Sequence, residues 1–127
     1  MSDVRLKVSS DSLEGLFYSA VEGMNKIIIS DAGVSKSSID ELIDISSIDS
    51  SMLLIDFLSD VLTLSHKNKC IYEIEKINEI SENKIKAVLK KINVKEFAED
   101  IKAVTYTEAE IIKNREGIFE TIIVFDI

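Results

Sequence analysis

The sequence predicts an α+β domain, two helices packed against a mainly antiparallel β-sheet in the order β-α-β-α-β-β-β-β. Three observations carry this. The apolar period switches from two to 3.6 and back, twice, in the first half of the chain. The second half holds only strand-type patterning and closes on a hairpin turn. With 127 residues, 46% of them hydrophobic, the chain supports one core and one domain, residues 1–127.

The first strand is "DVRLKV": Val4, Leu6 and Val8 share one face, Arg5 and Lys7 the other. "SSDSLEGLFYSAVEGMNKII" then takes helical spacing through Leu13, Leu16, Phe17, Ala20, Val21, Met24, Ile27 and Ile28. Asp11 followed by Glu14 resembles a capping box with aspartate as the cap. "SDAGVSKSS" (30–38) reads as a loop, and "SIDELIDISSI" as a strand around Ile39, Ile43 and Ile45. A second helix starts near Asp49–Ser51 and is expected to bury Leu54, Phe57, Leu58, Val61, Leu62 and Leu64, with Met52, Leu53 and Ile55 widening the stripe. "HKNK" ends it with cations where the macrodipole favours them. Then come strands "CIYEIEKI" and "KIKAVLKKINV", the latter with helix as its alternative, and the loop "KEFAED". "IKAVTYTEAEII" (101–112) reads as one β-branched strand, "NREG" as a turn with Gly117 at positive φ, and "IFETIIVFD" as the closing strand.

Several function classes lose ground on composition. Nothing approaches the ~20 apolar residues needed to cross a bilayer, and "MSDVRLKV" has no signal-peptide core. A single cysteine, Cys70, allows no internal disulfide, so a cytoplasmic location is expected. Twenty-three acidic residues against 15 basic ones give a net charge of −8. That disfavours direct RNA or DNA binding, which draws on Lys and Arg at phosphates. Lys86, Lys90, Lys91 and Lys95 form the nearest thing to a basic patch and read as the solvated face of a strand. No phosphate-binding glycine loop, nucleophile elbow or H-E-x-x-H motif is present. His66 and Cys70 read as a solvent-facing imidazole and a strand-buried thiol. The chain is therefore not expected to be an enzyme.

Carboxylates remain. The chain's last strand runs through "TIIVFDI", with Asp126 followed by Ile127 and its α-carboxylate. If the first and last strands pair antiparallel, Asp3 converges with both. Such oxygen donors suit Ca²⁺ or Mg²⁺. The competing reading is two exposed, solvated ends.

The residues also resemble a known family, the archeases. "SDVRLKV" matches the end of its opening His-Thr-Ala/Ser-Asp motif with Asp3 as the aspartate. "SLEGLFYSAVEGM" and "MLLIDFLSDVLTL" are similar to its two helices, "KAVTYT" (Lys102–Thr107) to its Lys-Ala-Val/Ile-Thr-Tyr-His motif, and "VFDI" to its final strand. Met1 stands where the family has threonine and Thr107 where it has histidine, which implies a divergent or N-terminally truncated member. The resemblance implies an accessory role: assisting an RtcB-type tRNA-splicing RNA ligase in guanylylation and turnover, with a tRNA methyltransferase as a further partner. It also implies a divalent cation, generally calcium, held by Asp3, Asp126 and Ile127. Two alternatives stand beside it: a small metal-dependent phosphoester hydrolase using the same carboxylates, and a metal-binding interaction module without the ligase role.

Overall fold

The computed structural model describes residues 3–29 and 35–127. Strand β1 (Asp3–Ser10) leads into helix α1 (Leu13–Ile28). The helix cap is Ser12, not Asp11: its side chain accepts a 2.9 Å hydrogen bond from Gly15 N–H. The shorter serine side chain, in extended backbone, reaches the free amide three residues on. The stripe Leu16, Phe17, Ala20, Val21, Met24 and Ile28 is buried as its spacing requires. Gly23 lets α1 lie directly on β1, since a Cβ there would stand 2.4 Å from Leu6 Cδ2.

Strand β2 (Ser35–Ser46) takes up the end of the stretch expected as loop, whose residues 30–34 lie outside the described ones. Helix α2 (Ser50–Asn68) is capped by Asp49, which accepts from Met52 N–H at 2.9 Å. It ends at Lys69 in the left-handed region, φ 51°. Phe57 of α2 meets Phe17 of α1 edge-on, with ring centroids 5.5 Å apart. Strands β3 (Ile71–Ile80) and β4 (Lys84–Asn93) form a hairpin, which resolves the helix alternative for 84–94 in favour of strand.

The expected strand over 101–112 is two short pieces, β5 (Ala103–Thr105) and β6 (Ile112–Lys113). Between them Glu108 adopts φ 61° and Ala109 tucks into the core, 4% exposed. Arg5 grips Glu108 through both carboxylate oxygens, at 2.6 and 2.8 Å, and this long-range pair holds the turn that interrupts the strand. The last strand, β7 (Phe119–Asp126), follows a turn with Gly117 at φ 80°, as expected.

The strands divide between two antiparallel sheets. One has β7 at its centre, with β1 on one side and β5 and β6 on the other. The other runs β2-β4-β3. Both helices and the inner faces of both sheets share a single apolar cluster, including Phe17, Phe57, Ile85, Leu89, Ile123 and Phe125. No described helix is long and apolar enough to cross a membrane.

Candidate functional site

Outer strand β1 and central strand β7 set two of the three expected carboxylates, Asp3 and Asp126, opposite each other. β1 and β7 pair antiparallel in a register that sets Asp3 opposite Asp126. On the other flank of β7, Ala103 stands opposite Asp126. Directly opposed residues project to the same face of a sheet. Phe125 and Ile123 take the core face, so Asp126 takes the opposite face between Asp3 and Ala103. Asp3 is exposed, whereas Asp126 and Ile127 are half-buried, Ile127 packing against the apolar cluster. The Asp126 carbonyl is tied down by Lys102 N–H at 2.7 Å.

Two features of this corner cost stability. Like charges directly opposed across a strand pair repel. In addition, Asp126 Oδ1 is buried without a hydrogen-bond partner, the one carboxylate oxygen so placed among the described residues. A buried acceptor left unpaired costs about 1–3 kcal/mol. A hard divalent cation, if bound, would answer both, neutralising the pair and engaging the orphaned oxygen. Among the described residues, no three His, Cys, Asp or Glu side chains are placed to share a metal ion. The two aspartates therefore need further donors from a terminal carboxylate, the backbone or water.

The stretch Lys102–Thr107 runs alongside this corner. Its β5 residues pair with the last three of β7, and its Tyr106 hydroxyl donates to Asp56 Oδ1 on α2. Asp56 Oδ2 accepts from Ser47 Oγ at 2.6 Å. One half-buried carboxylate thus joins α2, the end of β2 and the end of β5. Asp56 escaped notice in the sequence, where the signal was a lone carboxylate inside the apolar run "MLLIDFL".

His66 is exposed and Cys70 buried, as expected, but the four lysines do not form one solvated strand face, since Lys90 and Lys91 are neighbours in β4 and Lys95 lies beyond it. His66 Nε2 lies 3.7 Å from Asp100 Oδ1, and both side chains are largely exposed, so the pair contributes little. Cys70 is fully buried, and burial pushes its thiol pKa up, which leaves it a poor nucleophile at neutral pH. Of the four lysines, Lys90 is engaged by Asp40 at 2.6 Å and Glu75 at 3.7 Å.

Comparison with known proteins agrees with this architecture. The family model described as the Archease protein family (MTH1598/TM1083) matches residues 1–127. Proteins named archease from Methanosarcina barkeri (strain Fusaro / DSM 804) and Methanosarcina acetivorans are each 28% identical to this chain, covering 91% of it and 84% of their own length. In fold, the chain matches the solution structure of Methanobacterium thermoautotrophicum protein 1598 with a TM-score of 0.80 at 21% identity, over 100% of this chain and 94% of that one. A Thermotoga maritima crystal structure, described as an archease and possible chaperone, matches with a TM-score of 0.68 at 19% identity, over 98% and 90%. The chain belongs to the archease family.

Proposed function

We propose that the chain is an accessory protein that assists an RtcB-type RNA ligase in guanylylation and turnover during tRNA splicing or RNA repair. In this reading it carries a divalent cation, Ca²⁺ or another hard ion such as Mg²⁺. Asp3, Asp126 and the Ile127 α-carboxylate hold that ion. The observation that carries the reading is the in-register pairing of Asp3 with Asp126 beside an orphaned carboxylate oxygen. Fixed positive charge is what the ion supplies when bound. The residues around it set the shape: β5 and Asp56 hold the neighbouring strand, and the Lys102 amide anchors the Asp126 backbone. Net charge of −8 supports action on a protein partner, a ligase or a tRNA methyltransferase, in preference to grasping RNA directly. The description of the Thermotoga relative as a possible chaperone supports the same accessory role.

The test is RNA ligation by an RtcB-type ligase, with and without this protein, with Ca²⁺ or EDTA. Repeated ligase turnover that needs the protein and drops on Asp126→Ala is the expected result. No stimulation in any condition would overturn the ligase role. Phosphoester hydrolysis by the isolated protein, abolished by Asp126→Ala, would make it a hydrolase instead.

A further inference from the structure

The three-stranded sheet has two outer edges, and they are treated differently. On β3, Asn25 Nδ2 of α1 donates to the Tyr72 carbonyl at 2.7 Å. The ladder is also broken between Ile74 and Lys76 and between Ile77 and Glu79. A side-chain cap and irregularities of this kind block further strand pairing. On β2 a register shift lies between Lys36 and Asp40, but from Asp40 to Ser46 the register runs without a break, and no described strand pairs with its outer side.

The orientation of that edge follows from one hydrogen bond. Ser47 N–H donates to Asn83 O at 2.9 Å, so Ser47 faces β4. Antiparallel alternation turns the backbone groups of Asp44 and Leu42 away from β4, to the open side. Leu42 is 81% exposed there. Beside the edge lies an open cleft of about 410 Å³ between β2 and α2, bordered by Glu41, Ile43, Asp44, Asp60 and Leu64. Asp40 is neutralised by Lys90. Glu41, Asp44 and Asp60 have no salt-bridge partner among the described residues.

We infer that β2 is a docking edge for an extended segment of a partner protein in which basic and apolar residues alternate. Such a segment adds a strand to the sheet, seats an apolar side chain against Leu42 on one face, and sets its cations against Glu41 and Asp60 on the other. A second copy of this chain is disfavoured as the occupant. Residues 40–46 carry three acids and no cation, so self-pairing sets acid against acid. The inference rests on the chain working on a protein partner and is independent of the cation site.

The probe is a seven-residue peptide of alternating lysine and valine, titrated into the full chain by calorimetry. Saturable one-to-one binding is expected. Leu42→Lys places a cation on an exposed edge position, and Asp60→Lys reverses a rim charge; each should weaken binding about tenfold or more. The circular dichroism spectrum and any calcium-dependent melting shift should stay unchanged. A peptide N-methylated on alternate amides, which removes strand pairing but keeps charge, should also lose binding. Equal binding by the N-methylated peptide, or by Leu42→Lys, would overturn the proposal in favour of nonspecific charge attraction. Absence of binding overturns it outright, as does dimerisation through this edge. Because the readout is peptide affinity, failure here leaves the ligase assay unaffected, and the reverse also holds.

Discussion

The two sheets handle acidic residues in opposite ways. In the β2-β4-β3 sheet, carboxylates are registered against lysines: Asp40 and Glu73 face Lys90, and Asp44 and Glu79 face Lys86. In the sheet centred on β7, Asp3 faces Asp126 with no cation between them in the register. Cross-strand pairing of opposite charges is what sheet stability alone favours. The exception at the β1–β7 corner sits where a buried carboxylate oxygen also lacks a partner. Two local costs thus coincide at one place, and the proposed cation would offset both. In the three-stranded sheet the same chain registers acids against lysines.

The largest effect that could break this contrast is metal-dependent stability. At a hundredfold excess of Ca²⁺ over its Kd, binding to the native state stabilises by about 2.7 kcal/mol. Tm should then rise by on the order of 10 °C, and EDTA should reverse it. A flat Tm across a millimolar titration would remove the site. Extending the chain by a few residues past Ile127 should weaken the calcium effect. Unaltered affinity would exclude the Ile127 carboxylate as a ligand.

A smaller effect of opposite sign is expected without metal. Asp126→Asn relieves the repulsion with Asp3, so in EDTA its Tm should equal or exceed that of the wild type, with a gain of up to about 1 kcal/mol. In calcium the order should invert. A variant less stable in both conditions would mean that Asp126 is purely structural.

The smallest effect lies in the other sheet. The Lys90 pKa is held above the ordinary lysine value of 10.5, first by its hydrogen bond to Asp40. The contribution of this pair is thus complete below pH 10.5 and fades as pH rises through the higher folded value. Lys90→Met should lower stability modestly near neutrality, and the gap to wild type should narrow only in strong alkali. A gap that is constant with pH would assign the loss to packing of the lysine stem.

Much of this was legible in the sequence. Alternation in "DVRLKV" and the β-rich run "TIIVFD" marked two strands, and the opposition of Asp3 and Asp126 followed on the condition that they pair antiparallel, which they do. The helical stripes and the turn at Gly117 were equally local. The break in 101–112 was not. Its β-branched pattern reads as continuous strand, and the groups that interrupt it, Arg5 and Asp56, lie 103 residues from Glu108 and 50 from Tyr106. Periodicity cannot report a partner that distant. Division into two sheets was hidden for the same reason, since it depends on which edge each strand finds. The cap on α1 was displaced by one residue because Asp11 and Ser12 are both good caps, and only backbone geometry chooses between them.

The central place of β7 has a consequence for synthesis. β3 and β4 are neighbours in sequence and can zip together as soon as both have left the ribosome. β1 is made first, yet its partner is residues 119–126. Through most of translation, an alternating apolar strand waits without its mate while α1 forms beside it. Contacts of such separation are slow to close, and an unmatched strand on a nascent chain invites pairing with the wrong neighbour. Shielding by α1, with Gly23 letting it sit on Leu6, is the only early cover this arrangement gives the N-terminal strand among the described residues.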